Sequence, residues 1–174
     1  MKIIIIGAGP GGYETAVLAA KKGVETVLIE AGPVGGTCLN EGCIPTKSFC
    51  KNAEFIDQLQ EADKYGVGSL DFKLDFSKVT ERKNAVVEQL KSGVESLLKH
   101  KLITLVRGRA FFKDQHTVSV IPNDLQEAAQ TQDYTADYII IATGSVSSSL
   151  PIPGADLPGI LTSKEILDID HVPN

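Results

Sequence analysis

The opening segment MKIIIIGAGPGG restricts what this chain can fold into more than any other stretch. Ile3 to Ile6 form a continuous run of branched apolar residues, which reads as a strand buried on both faces. The run stops at once in Gly7, Gly9 and Gly12, the GxGxxG spacing. From Gly11 onward Tyr13, Ala16, Val17, Ala19 and Ala20 predict a short helix ending at Gly23, and Thr26 to Ile29 predict a second strand closed by Glu30. Strand, glycine turn, helix and strand, with an acid about twenty residues after the glycines, make a complete βαβ dinucleotide unit. Gly7 suits the tight turn, Gly9 the approach of backbone to a pyrophosphate, and Gly12 the packing of helix on strand, with the helix N-terminus facing the negative charge. Glu30 is placed to accept hydrogen bonds from an adenosine ribose and to repel a 2′-phosphate.

A few residues downstream, Cys38 and Cys43 stand in GGTCLNEGCIPTKS. Five residues along an ideal helix separate Cα atoms by roughly 8 to 9 Å, and a disulfide needs less than about 7 Å. A bridge here therefore requires a broken helix, with Gly42 supplying the freedom and Pro45 fitting the first turn of the helix that follows. So small a loop removes little chain entropy, which favours exchange chemistry over stabilisation. The competing reading is a pair of reduced, buried thiols. Lys47, one turn past Cys43, is placed to favour a thiolate together with the helix N-terminus; the alternative for it is a solvated lysine. Cys50 is assigned to packing.

The middle of the chain reads as helical. Phe49, Ala53, Ile56 and Leu59 recur at helical spacing from Ile44 to about Lys64, with Tyr65, Gly66 and Gly68 ending the run. Val79, Val86, Leu90, Val94 and Leu97 mark a second amphipathic helix from about Ser77 to Leu98, with Asp75 or Ser77 as N-cap. Short strands are then expected at Leu102 to Val106, Ala110 to Phe112 and Thr117 to Ile121, the last two joined by a KDQH turn. Asn123 to Asp133 reads as a surface loop, and Tyr138 to Ala142 as a buried strand running into Thr143, Gly144 and Ser145. A glycine with hydroxyls at such a strand end suits a ligand site of an α/β sheet, or an ordinary turn. The proline-rich remainder reads as an extended connector whose one helix-like patch is SKEILDI.

The 174 residues, 43% hydrophobic with a net charge of −5, can bury one ordinary core and show no basic footprint for nucleic acid. The four-residue apolar run at the N-terminus is shorter than a secretory signal requires. No stretch approaches the ~20 apolar residues of a membrane span. The expected location is cytoplasmic, and no metal-ligand cluster is apparent.

Taken together, GAGPGG, Glu30, GGTCLNEGCIPTKS, the GxAxF pattern of Gly108 to Phe112, ATGS and PIPG resemble the N-terminal FAD-binding part of the flavoprotein disulfide reductases (pyridine nucleotide-disulfide oxidoreductases). That group contains dihydrolipoamide dehydrogenase, glutathione reductase and mercuric reductase, and Leu39 with Ile44 is most similar to the first. The resemblance implies an α/β, Rossmann-like FAD-binding domain with a central parallel sheet, a β-meander crossover and a helical pair carrying a redox disulfide. It implies residues 1–147 as that domain, and 148–174 as a connector toward an NAD-binding domain. It assigns Cys38 as the exchange thiol, Cys43 as the thiolate against the flavin, and Lys47 as a cation near it. FAD contacts are implied for Gly7, Gly9, Pro10, Gly11, Gly12, Glu30, Gly36, Thr37, Cys38, Lys47, Ala110, Thr143, Gly144 and Ser145, with Ala110 acting through its backbone. The chain is expected to be the N-terminal part of a longer homodimer that uses NAD and a lipoyl-bearing protein of a 2-oxo acid dehydrogenase or glycine cleavage complex. The alternatives are a glutathione or mercuric reductase-like enzyme and a noncatalytic FAD-binding module.

Overall fold

Ile4 and Ile5 are fully buried, and their strand β1 (Lys2–Ile6) lies between β2 (Glu25–Glu30) and β6 (Tyr138–Ile141), parallel to both. The computed structural model describes residues 1–68, 71–123 and 131–173. They divide into one unit of 1–37 with 90–145 and another of 38–89 with 146–174.

The first unit is built on a six-stranded sheet of order β5-β4-β3-β2-β1-β6. Helix α1 (Pro10–Lys21) links β1 to β2 and buries Gly12, Ala16 and Ala20, small residues at helical spacing that allow close packing. The predicted βαβ unit is thus present with its boundaries moved by one or two residues. Strand β3 (Ile103–Phe112) continues the parallel sheet beside β2, then runs antiparallel to β4 (Thr117–Pro122), which pairs with β5 (Gln132–Thr135). Ile4, Val27, Ile29, Val118, Val120 and Ala136 form one buried cluster of the core, with Ala110 packed against it.

Three sequence expectations change here. The two strands anticipated on either side of Gly108 are one continuous strand: Glu30 opposite Arg107 is the last parallel pair and Gly108 opposite Pro122 the first antiparallel one. A Cβ at Gly108 would lie 2.4 Å from the Ile121 carbonyl oxygen, so glycine serves close strand crossing rather than chain reversal. Of the expected loop Asn123 to Asp133, 124–130 lie outside the described residues, while 132–135 form β5; QDYT has little apolar alternation because only Tyr134 turns toward the core. In helix α4 (Phe76–Leu97), Leu97 is 55% exposed and Leu98, just past the helix end, is 4% exposed. The buried stripe continues from Val94 to Leu98, one turn on, whose amide still donates to the Val94 carbonyl at 3.1 Å.

In the second unit, α3 (Cys43–Gln60) is followed by a short 3₁₀ turn, Ala62–Tyr65, closed by left-handed Gly66. Asp75 accepts the Lys78 amide and the Ser77 hydroxyl, which makes it the N-cap of α4. Phe49 of α3 stacks on Phe76 at a ring separation of 6.0 Å. Arg82 donates to the Ser48 hydroxyl at 2.8 Å and to Asn52 at 3.1 Å. The buried Lys83 lies over the Phe49 ring and donates to the Leu167 carbonyl at 2.8 Å. That bond holds a second 3₁₀ turn, Glu165–Asp168, within the anticipated SKEILDI patch. Among the described residues no helix is long and apolar enough to cross a membrane.

Candidate functional site

The C-terminal ends of β1, β2 and β6 converge on the glycine turn. Gly7 donates to the Ile29 carbonyl at 2.8 Å and Ala142 donates to the Ile6 carbonyl at 2.8 Å, so each strand end holds the next. Gly7 has φ +103°, and a Cβ on it would sit 2.3 Å from the Ala142 oxygen. A Cβ on Gly12 would sit 1.8 Å from the Gly7 oxygen, which is how closely α1 approaches the strand. These two glycines are demanded by the protein's own packing.

Gly9 and Gly11 are different. Among the described residues a Cβ on Gly9 would make one ordinary contact, 3.6 Å from Gly36, and one on Gly11 would meet nothing within 4 Å. Neither has positive φ. Their bare backbone stands at the N-terminus of α1, where Gly9 provides no side-chain cap and Pro10 opens the helix. An uncapped helix start with two glycines that packing does not require suits a pyrophosphate lying against the backbone.

Glu30 ends β2. Its carboxylate accepts the Ala8 amide at 2.6 Å and the Gly32 amide at 2.7 Å, joining the glycine turn to the loop after β2. A carboxylate has about four acceptor positions, so two such bonds leave capacity for ribose hydroxyls. The same loop reaches Gly35, whose amide donates to Ala8 at 2.8 Å, and Gly36, at φ +67°, where a Cβ would lie 2.7 Å from the Gly9 Cα. Thr37 follows in α2 (Gly36–Glu41) and is exposed. Thr143, Gly144 and Ser145 extend from β6 and are exposed, with Gly144 at φ +70°. Ala110 lies elsewhere on the sheet, in the antiparallel part of β3 opposite Val120.

Sequence reading missed Arg107 and Asn123. Arg107 donates to the Gly32 carbonyl at 2.7 Å and to Glu95 at 3.2 Å, and Asn123 donates to the Ala31 carbonyl at 2.8 Å. The one local sign was an arginine inside an otherwise apolar strand pattern, LITLVRG.

In the second unit the helix breaks between the cysteines as geometry requires: α2 stops at Glu41, Gly42 leaves helical angles at φ −152° and ψ −115°, and Cys43 starts α3. Thr46 secures the restart, its hydroxyl donating to the Gly42 carbonyl at 2.7 Å. Cys38 and Cys43 are free thiols, as is Cys50. Cys38 is half-buried and Cys43 exposed, so the competing reading of two buried thiols does not hold. The Cys38 thiol donates to the Cys43 sulfur, and that bond raises the Cys38 pKa, with burial and the Cys43 charge adding to it. The Cys43 amide and the Lys47 ammonium pull the other way and are outweighed. Lys47 is exposed one turn into α3.

A βαβ glycine turn with an acid-tipped second strand thus occurs in a chain that also carries a pair of thiols across a helix break. The sequence signature of the pyridine nucleotide-disulphide oxidoreductase family matches residues 1–173, and the chain belongs to that family. It is 39% identical to dihydrolipoyl dehydrogenase of Bacillus subtilis over 178 residues, covering 100% of this chain and 37% of the relative. It is 41% identical to dihydrolipoyl dehydrogenase of Geobacillus stearothermophilus over 165 residues, covering 95% of this chain and 33% of that one. The solved structure of the HOCl-induced flavoprotein disulfide reductase RclA from Escherichia coli superposes with a TM-score of 0.75 at 30% identity, covering 99% of this chain and 35% of RclA. The chain therefore spans about a third of the length of these relatives. Family membership implies FAD as the cofactor, and the glycine turn and Glu30 fit such a group.

Proposed function

We propose that this chain is the FAD-binding and dithiol-bearing part of a dihydrolipoyl dehydrogenase that oxidises dihydrolipoamide on a lipoyl carrier and passes the electrons to NAD+. The observation that carries the reading is the Cys38 and Cys43 pair, brought into hydrogen-bonding contact by the helix break at Gly42. In the oxidised pair a substrate thiolate attacks the Cys38 sulfur, the S–S bond breaks and Cys43 leaves as a thiolate. The second substrate thiol then attacks the mixed disulfide, releasing cyclic lipoamide and the Cys38 thiol. Lys47, one turn into α3, is the cation that acts on the pair, its charge opposing the rise in the Cys38 pKa. FAD, when bound, supplies a two-electron acceptor between this dithiol and NAD+.

In this reading Gly7, Gly9, Pro10, Gly11 and Gly12 hold the pyrophosphate with Gly36 and Thr37, and Glu30 holds the adenosine ribose. The Ala110 backbone and the segment Thr143, Gly144 and Ser145 complete the cofactor contacts, with Cys38 and Lys47 at its reactive end. Residues 1–147 act as the FAD domain, and 148–174 connect it to a nicotinamide-binding domain. The protein works as a cytoplasmic homodimer serving a 2-oxo acid dehydrogenase or glycine cleavage complex. The relationship to RclA supports a second reading, a disulfide reductase acting on another oxidant. This chain alone is expected to be inactive, so the intact protein is assayed: comparing dihydrolipoamide with NAD+ against glutathione disulfide or Hg(II) with reduced nicotinamide separates the two. The proposal expects turnover with the first alone, abolished by Cys38→Ser, and a preference for either of the others defeats it.

A further inference from the structure

Glu30 does not stand alone at the end of β2. Its partner in the parallel register, Arg107 of β3, points to the same face of the sheet. Arg107 reaches past it to the loop: one arm of the guanidinium donates to the Gly32 carbonyl at 2.7 Å and the other to Glu95 of α4 at 3.2 Å. The Gly32 amide in turn donates to the Glu30 carboxylate at 2.7 Å, whose other oxygen takes the Ala8 amide at 2.6 Å. Asn123 holds the neighbouring Ala31 carbonyl at 2.8 Å. The result is one continuous chain of hydrogen bonds from Glu95 through Arg107 and Gly32 to Glu30 and the glycine turn. Each link fixes the next, because the planar guanidinium binds both partners from one rigid fork.

We infer that Arg107, braced by Glu95, is a positioning residue for the adenosine end of the nucleotide site: it fixes Gly32 and thereby aims the Glu30 carboxylate at the ribose hydroxyls. The inference rests on the proposed FAD site and adds to it a residue that reads the ligand only through Glu30. A charge-assisted bond to the loop backbone is lost when Arg107 is removed, and the carboxylate then samples orientations in which a 2′-hydroxyl finds no acceptor.

The test uses the apoprotein and measures the affinities of FAD, ADP and 2′-deoxy-ADP by calorimetric titration and displacement. Wild type is expected to prefer ADP over 2′-deoxy-ADP by about 10- to 100-fold, in keeping with one hydrogen bond to a charged acceptor. In Arg107→Met the preference falls to about 2-fold or less and FAD affinity drops about 10-fold. Arg107→Lys, which keeps the charge and a single donor, retains part of the preference, and Glu95→Gln lies between Arg107→Lys and wild type. A loss of packing alone would weaken both nucleotides equally and leave their ratio unchanged. A wild-type ratio near one, or the same ratio in Arg107→Met as in wild type, overturns the inference while leaving FAD binding intact. Failure of the wild-type apoprotein to bind either FAD or ADP overturns the proposed function itself.

Discussion

Gly11 and Gly12 are neighbours in the first turn of α1, and alanine at each should have opposite consequences. At Gly12 the new Cβ would lie 1.8 Å from the Gly7 oxygen. Relieving that contact only to 3.0 Å needs a displacement of about 1.2 Å between α1 and the end of β1. The turn cannot yield cheaply, because Gly7 is held to Ile29, and Ile6 to Ala142, by backbone bonds of 2.8 Å. Overpacking against rigid backbone belongs near the top of the usual range, about 3 kcal/mol, from which alanine's better helix propensity recovers somewhat less than 1 kcal/mol. The net loss is about 2 kcal/mol, or a fall in Tm of roughly 4–8 °C for a chain of this size. At Gly11 the Cβ meets nothing within 4 Å among the described residues. Only the propensity gain remains there, so Tm stays level or rises by roughly 1–3 °C. Differential scanning fluorimetry on the two variants decides it. Equal melting temperatures, or a Gly11→Ala protein less stable than Gly12→Ala, would refute the close approach of α1 to the strand and the role given to Gly12.

In Cys43→Ala, Cys38 loses the acceptor that raises its pKa, so the pKa falls and its alkylation by iodoacetamide, followed site by site by mass spectrometry, moves to lower pH; an unmoved or higher profile would show that the Cys43 sulfur does not hold the Cys38 proton. Gly108→Ala puts a Cβ 2.4 Å from the Ile121 oxygen where β3 turns into the meander, and a loss of about 1–3 kcal/mol is expected in urea unfolding; a neutral change would show that the crossing does not need a bare backbone. Lys83→Ala removes the donor to the Leu167 carbonyl. It should cost about 1–3 kcal/mol and open the chain between Ser163 and Asp170 to limited proteolysis, and an unchanged cleavage pattern there would mean that Lys83 does not hold that turn.

How far the sequence could be read depends on the range of the interactions concerned. The helix break between Cys38 and Cys43 was legible because it follows from rise per residue, one glycine and one proline, all within eight positions. Asp75 and Ser77 were both legible as caps for the same reason, and only the bonds that Asp75 accepts chose between them. The unity of β3 was not, since a glycine in a strand pattern marks either a stop or a close crossing, and the choice belongs to Ile121 on another strand. Strand β5 was hidden because QDYT carries one core-facing side chain and takes its order from pairing with β4. Arg107 was hidden too: its partners Gly32 and Glu95 lie 75 and 12 residues away, a separation that no local pattern encodes.

From its residues alone this protein was bound to have a parallel βαβ nucleotide unit and a thiol pair across a broken helix, because backbone sterics, apolar period and glycine spacing act over a few residues at a time. Which strands became neighbours and what steadies Glu30 were decided only when distant segments met. Those outcomes depend on distances and directions between side chains, and only the folded chain supplies them.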